Sequence, residues 1–357
     1  MTSEVVVPTP SRHRRGRFII VTIVLAVALV ATVVVSLGLG QYALSPSEVV
    51  GVLLGAVGID SPWAVADPTA AGVVLGIRLP RIVLGLLVGA ALSVSGVLMQ
   101  AIFGNPLADA AVVGVSSGAA LGAAASLTFS LTVFGLWTTP AFAFVGGLVA
   151  VLSVYFISRT GGRTEVVTLL LTGIAINAIA GAGLAFLTFL GTSATREQIV
   201  FWQLGSLNGA LWQNIALVAP LVLVGLVVAI LVARQLDLFA LGERTARHLG
   251  VRVEPLRIGV IVTVALLVCA AVAFAGIIGF VGLVVPHLMR MAIGPAHRPL
   301  IITSALGGAL LLAGADLVAR TAVPLADLPI GMITALIGGP FFLWLLLRTR
   351  KQAGGWG

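Results

Sequence analysis

Long apolar runs alternate with short polar segments along most of this 357-residue chain. A helix needs about 20 apolar residues to cross the hydrocarbon core of a bilayer. Most of the runs approach or reach that length, and uninterrupted apolar runs of this kind predict membrane-spanning helices. The pattern predicts ten spans, at residues 18–40, 80–101, 107–127, 139–158, 166–190, 212–233, 257–276, 280–293, 299–320 and 328–347.

The composition supports a membrane protein. Hydrophobic residues make up 59% of the chain and charged residues only 9%, and the mean hydropathy is +1.18. A soluble domain is about half apolar and about a quarter charged. We therefore predict an all-α, polytopic membrane protein with about ten transmembrane helices in a single domain over residues 18–350.

The first apolar run follows the basic segment RHRRGR and resembles a signal peptide. Its apolar part is about twice the usual length, and no convincing small-residue cleavage site follows it. We therefore expect a retained first span. Residues 1–17 then form a basic cytoplasmic tail, and residues 351–357 form a cytoplasmic tail at the other end.

The basic residues predict the orientation. With ten spans and both termini inside, 16 of the 20 arginine and lysine residues fall in inner segments, as expected for a bacterial inner-membrane protein. The formal charge of +8 thus reflects topology, and we expect no nucleic-acid partner. The four outer exceptions are Arg78, Arg81, Arg196 and Arg320. Asp316 precedes Arg320 by four residues, a spacing that predicts a pair on one helix face.

The sequence contains neither a nucleotide-binding motif nor the buried ionisable residues that would power transport. A Walker loop needs GxxxxGK[ST], but the one lysine, Lys351, precedes a glutamine. A secondary transporter would carry ionisable residues deep in its spans, and these spans are almost bare of them. One cysteine and four scattered histidines predict neither disulfides nor a metal site. We expect a pore-forming, non-enzymatic subunit without a cofactor, driven by another protein.

The longest inner loop, residues 234–257, is the expected docking point for that partner. It contains both charged and apolar residues, and glycines indicate turns at Gly242 and Gly250. This pattern predicts two short amphipathic helices across the membrane face, of the kind that a partner's groove accepts. A solvated loop that only fixes orientation is the alternative.

Two other classes stay open at this point. GVSSG, residues 114–118, matches the GxSxG nucleophile pattern, so an intramembrane hydrolase could use Ser116 with His287. The elbow needs a strand–turn–helix context, whereas an apolar helix is predicted here. A proton-coupled transporter is the other alternative, and transport without an ATPase would reveal it.

Several strings resemble one known family. The chain resembles the permease subunits of binding-protein-dependent ATP-binding cassette (ABC) importers for iron-siderophores, haem and cobalamin, the FecCD type. The matching strings are RLPRIVLGLLVGAALSVSGVLMQAIFGNPLADAAVVGVSSGAALGA, LLLTGIAIN, FWQLGSLNGALW, LGERTARHLGV, GIIGFVGLVVPHLMR, GADLVART and LPIGMITALIGGPFFLWLL.

The resemblance implies a type II ABC importer permease fold and several partners. These are a second permease copy or paralogue, two cytoplasmic ATPase subunits that bind ATP and Mg, and an extracytoplasmic substrate-binding protein. The expected cargo is an iron-siderophore, with cobalamin and haem as alternatives. The fifth and tenth spans would line the cargo path.

The resemblance also implies roles for individual residues. Arg78, Arg81 and Arg320 would receive acidic residues of the binding protein, because an arginine fork can hold a carboxylate at two points; for Arg78 and Arg81, membrane lipid is the alternative partner. The ATPase contact would involve Gly242, Glu243, Ala246 and Leu249. The cytoplasmic gate would include Asn105, Leu107 and Thr164.

Overall fold

The computed structural model describes residues 12–63, 67–160 and 163–352. Fourteen α-helices lie in these ranges: α1 Arg12–Gly38, α2 Pro46–Ala56, α3 Pro68–Ala71, α4 Leu79–Phe103, α5 Val115–Thr128, α6 Thr138–Ile157, α7 Val166–Leu190, α8 Ser193–Leu204, α9 Trp212–Phe239, α10 Glu243–His248, α11 Val253–Ala275, α12 Val281–Ile293, α13 His297–Thr321 and α14 Ile330–Gln352. Most of the predicted tails, 1–17 and 351–357, lies outside the described residues, so the domain division stays a prediction.

Short elements complete the described chain. A π-helical turn, Gly72–Arg78, joins α3 to α4, and 3-10 turns cover Ala110–Val113 and Gly135–Trp137. Two strands of two residues each, β1 Arg159–Thr160 and β2 Arg163–Thr164, form an antiparallel hairpin between α6 and α7. Helices therefore make up nearly all the regular structure, as predicted.

Each of the ten predicted spans coincides with one helix: α1, α4, α5, α6, α7, α9, α11, α12, α13 or α14. Seven helical stretches in the described ranges are long and apolar enough to cross a membrane. The apolar parts of α5, α12 and α14 are shorter. The all-α, polytopic fold is thus confirmed.

The predicted start of the third span, residue 107, was wrong. Asp109 accepts a hydrogen bond from the backbone N–H of Ala111 at 2.9 Å and starts a 3-10 turn there. That turn ends at Gly114, whose φ of 81° is easily reached only by a residue without a side chain. Helix α5 therefore begins at Val115.

Helix α4 lies at the centre of the bundle. It packs against α9, α11, α12 and α13, and nearly all of its residues are buried. Two of its glycines, Gly89 and Gly96, touch the backbones of Gly308 on α13 and Gly282 on α12, so closely that a Cβ on any of the four would clash. Small residues permit such close helix packing in membranes.

Helices α4 and α13 run antiparallel and so define two ends of the bundle. The arginine end contains Arg78, Arg81 and Arg320, and the coupling end contains residues 234–257 together with Asn105. At the arginine end, α2 packs over a small separate cluster of buried apolar residues. Ser45 and Glu48 form a capping box that starts α2.

Candidate functional site

Two carboxylates hold Arg81 at the arginine end. Its Nε donates to Asp316 Oδ1 at 2.8 Å, and its Nη1 donates to Asp327 Oδ2 at 2.7 Å. The side chain of Arg81 is 8% exposed, that of Asp316 is 2% exposed, and that of Asp327 is 29% exposed. Burial of a charge is tolerated only with such partners, so this triad ties α4 to α13 and to the segment after α13.

The other two arginines hold the end of α1. Arg320 lies 3.3 Å from Asp316 Oδ2, which confirms the predicted pair. Arg320 also donates to the Ser36 carbonyl at 3.0 Å and contacts the Ser36 hydroxyl. Arg78 donates to the carbonyls of Leu37 and Tyr42. Both guanidinium groups therefore satisfy carbonyls that the end of a helix leaves without partners.

All three predicted docking arginines thus lie close together and are mainly buried. The sequence predicted their shared end of the bundle and the pair of Arg320 with Asp316, but not the partners of Arg78 and Arg81. Of the two carboxylates on Arg81, the more exposed one is Asp327, so an incoming carboxylate would meet the ion pair at that residue. The docking role of the three arginines stays a prediction.

The coupling segment, residues 234–257, contains one short helix, not two. Helix α9 continues to Phe239 and α11 already begins at Val253, which leaves only α10 between them. The prediction of two short helices was wrong because residues 234–239 and 253–257 extend the long helices on either side. Apolar periodicity cannot distinguish the end of a span from a separate helix.

The four predicted coupling residues all lie on or beside α10. Gly242 precedes the helix with φ 101°, a conformation that favours glycine. Ala246 is fully buried against the bundle, whereas Leu249 is 54% exposed. Helix α10 thus exposes its charged face, Leu249 is exposed directly after its end, and Ala246 anchors it to the bundle.

Arg257 links the parts of the coupling segment to one another. Its side chain is 3% exposed; its Nη2 lies 3.3 Å from Glu243 and its Nη1 lies 3.4 Å from Glu254. The guanidinium also sits 5.9 Å from the ring centre of Phe239, within the range of a cation–π contact. Glu243 additionally pairs with Arg247. These contacts join α10 to the ends of both α9 and α11.

The predicted gate residues lie at the coupling end. Asn105 accepts a hydrogen bond from the N–H of Leu107 at 2.9 Å, and both residues are exposed in the loop after α4. Thr164 is the last residue of β2 and pairs with Arg159; its side chain lies outside the described part of the structure. The gate assignment stays a prediction.

Two polar contacts at the coupling end were missed from the sequence. Arg290 Nη2 donates to Gln100 Oε1 at 2.8 Å, and Gln100 Nε2 donates to the Gly282 carbonyl at 3.3 Å. Asp237 Oδ1 accepts the backbone N–H of His297 at 2.8 Å. No spacing rule links His297 to a carboxylate 60 residues away in the sequence.

The helices predicted to line the cargo path, α7 and α14, expose large apolar side chains. On α7 these include Leu171, Ile174 and Phe186, and on α14 they include Leu336 and Ile337. Because a single chain leaves both faces open, a second permease copy or the bilayer would cover them. Residues 166–190 of α7 and 330–347 of α14 contain no charged side chain.

The hydrolase alternative finds no support in the local structure. The element before Gly114 is a 3-10 turn, and Ser116 lies in the first turn of α5, so the strand–turn–helix of a nucleophile elbow is missing. Within residues 12–63, 67–160 and 163–352, no three histidine, cysteine or acidic side chains cluster as a metal site would require.

An all-helical bundle of membrane spans, with an exposed coupling helix at one end and a cluster of arginines at the other, is the architecture of a transport permease. The chain belongs to the FecCD transport family, whose model matches residues 28–348. This family comprises permease subunits of ABC importers, which work as pairs with partner ATPases.

Similar proteins and a solved structure support this family assignment. The chain is 46% identical to the hemin transport system permease protein HmuU of Yersinia pestis, over 79% of this chain and 85% of the relative. It is 43% identical to the cobalamin import system permease protein BtuC of Halobacterium salinarum, over 82% of this chain and 78% of that relative. A metal-chelate type ABC transporter in an inward-facing conformation superposes with a TM-score of 0.80 at 34% identity, covering 92% of this chain and 98% of that one.

Proposed function

We propose that this chain forms the membrane path of an importer for an iron chelate, a ferric siderophore or haem, and that partner ATPases supply the energy. The observation that carries this proposal is the family match over nearly the whole chain, joined to a coupling helix that is exposed yet firmly anchored. A relative named for hemin is 46% identical, which favours an iron chelate. Cobalamin is the second candidate, because other relatives are named for it.

The charge distribution supports an orientation with the coupling end in the cytoplasm. Of the 20 basic residues, 16 fall in segments assigned to that side, as the positive-inside rule requires. The arginine end then faces outward, where a substrate-binding protein would dock. Its carboxylates would compete with Asp327 for Arg81, and charge complementarity would orient the docked protein.

The mechanism follows from this placement. Binding of ATP closes the partner ATPases, and their movement displaces α10. The gate near Asn105 and Leu107 closes while the arginine end opens, and the cargo passes from the binding protein into an apolar path. Because that path holds the cargo weakly, hydrolysis of ATP and reopening of the gate release it to the cytoplasm.

Reconstitution tests the proposal. The permease, its ATPase and its binding protein would be placed in liposomes containing ATP, and radioactive hemin, a radioactive ferric hydroxamate and radioactive cobalamin would be offered in turn. We expect ATP-dependent accumulation of one iron chelate. Accumulation of cobalamin alone would replace the proposed cargo, and accumulation driven by a pH gradient without the ATPase would overturn the proposed energy source.

The docking role has its own test. Substitution Asp327→Asn leaves Arg81 paired with Asp316 but removes the exposed competitor, so we expect tighter binding of the substrate-binding protein. Asp60→Asn, at an exposed site distant in sequence from the arginine cluster, is the matched control. Equal or weaker affinity for Asp327→Asn than for Asp60→Asn would reject Arg81 as the receptor of a carboxylate.

A further inference from the structure

One carboxylate connects the end of α9 to the start of α13. Asp237 Oδ1 lies 2.8 Å from the backbone nitrogen of His297, the first residue of α13, and 2.7 Å from Nδ1 of the same residue. His297 is 6% exposed. An acidic side chain that accepts N–H groups at a helix start caps that helix and complements its dipole. Asp237 therefore caps α13 from a different helix.

Helix α13 extends from this cap to the arginine end. Its 25 residues give a length of about 37 Å at 1.5 Å per residue. Asp316 and Arg320, in its last two turns, hold Arg81 and the end of α1. Midway, Gly308 lies directly against the backbone of Gly89 on α4. One continuous helix thus contacts both ends of the bundle.

Asp237 also belongs to the coupling segment, residues 234–257. Asp237 lies on the last turn of α9, five residues before Gly242 and two before Phe239, whose ring faces Arg257. Arg257 in turn holds Glu243 of α10. A displacement of α10 by a partner would therefore act on the end of α9 through Arg257, and so on the carboxylate that caps α13.

We propose that Asp237 is a positioning residue for energy coupling. Through His297 it transmits the movement of the coupling segment to α13, and α13 transmits that movement to Asp316 and the arginines at the opposite end. This inference rests on the proposed function, since it assumes that a partner moves α10. Two sites joined through packed, rigid elements with two arrangements are the physical basis of such coupling.

Three variants separate coupling from simple stabilisation. Asp237→Ala removes the cap, whereas Asp237→Asn keeps an oxygen acceptor, and asparagine is also a favoured cap residue. Arg298→Ala, at the exposed neighbour of His297, changes the charge at the same helix start without touching the cap. Each would be assayed in the complete transport complex, well below its melting temperature.

Two readouts are needed. The first is the amount of radioactive hemin, ferric hydroxamate or cobalamin imported per ATP hydrolysed, using whichever cargo the wild type accumulates. The second is the reaction rate of a thiol reagent with Leu325→Cys, measured with and without ATP in each background. Leu325 is 86% exposed in the segment after α13, whereas the native Cys269 is fully buried.

We expect Asp237→Ala to lower cargo per ATP by about fivefold or more, the lower range of coupling between sites, and to abolish the ATP-dependent change at Leu325→Cys. Asp237→Asn and Arg298→Ala should retain both. Wild-type coupling in Asp237→Ala, or loss of ATPase activity and cargo transport in equal proportion, would overturn the role of Asp237. Failure of the wild-type complex to import any of the three cargos would instead reject the proposed function.

Discussion

Substitution Asp316→Ala tests the ion-pair cluster at the arginine end most directly. The carboxylate is 2% exposed and lies 2.8 Å from Arg81 and 3.3 Å from Arg320, whose side chains are each 8% exposed. Removal of the carboxylate leaves two largely buried guanidinium groups with less compensating charge. We therefore expect a large loss of stability, with little change at the coupling end.

The structure sets the magnitude. Removal of one partner from a buried ion pair costs about 3 to 5 kcal/mol. Arg81 keeps Asp327 at 2.7 Å, and Arg320 keeps its contacts with Ser36 and the Leu39 carbonyl, which favours the low end of that range. At about 2 °C per kcal/mol for a large domain, the melting temperature should fall by about 6 °C.

The assay is thermal unfolding of the purified permease in one detergent, followed by the fraction that remains monodisperse after heating. Asp316→Asn keeps a hydrogen-bond acceptor, so its melting temperature should fall less than that of Asp316→Ala. Asp60→Asn, on the surface, should stay within about 1 °C of the wild type, because exposed substitutions typically cost under about 0.5 kcal/mol. A melting temperature for Asp316→Ala equal to that of Asp60→Asn would refute the argument.

Three further predictions follow from local geometry. Gly242→Leu places a side chain at φ 101°, which costs about 1 to 3 kcal/mol locally; ATP hydrolysis should continue while cargo import falls, and normal import per ATP would contradict the role of this position. Gly308→Leu would collide with the backbone of Gly89, so little monodisperse protein should be recovered, in contrast to Leu at the open position Gly314. Hydrogen bonds from Ser45 lower the pKa of Glu48, so the contribution of Glu48 to α2 is present at neutral pH and lost as the pH falls through that lowered pKa; the protection factor of amide exchange in α2, taken against the intrinsic exchange rate at each pH, should fall on acidification, and a constant protection factor would argue against the capping box.

Much of the fold was predictable because the bilayer imposes simple local rules. An apolar run of sufficient length forms a helix in a bilayer; a helix lies at each of the ten predicted spans, and seven of these helices are long and apolar enough to cross a membrane. The errors arose where short polar side chains compete with helix formation, as at Asp109 before α5, and where a span extends beyond its apolar part, as at the end of α9. Helices α2 and α8 were not predicted: α2 is apolar but only 11 residues long, and α8 is short and mixed in composition.

The candidate site was only partly predictable. The local pair of Asp316 and Arg320 follows from their spacing of four residues, since such residues share a helix face. By contrast, Arg81 meets Asp316 across 235 residues and Asp327 across 246 residues. No pattern within one sequence specifies contacts at that separation. The sequence therefore assigns Arg81 to a partner protein and does not reveal its ion pairs with Asp316 and Asp327.

The glycine contacts of α4 have a consequence for how this bundle can change shape. Where Gly89 and Gly96 meet Gly308 and Gly282, main chain touches main chain, so no rotamer can adjust there to absorb a displacement. Helices α4, α12 and α13 should accordingly shift together as a single rigid body during turnover. Helices α7 and α14, which carry the open apolar faces, meet a neighbouring backbone at Gly173 and Gly331, near their starts, so any tilt of these two helices against that rigid centre should pivot at those contacts.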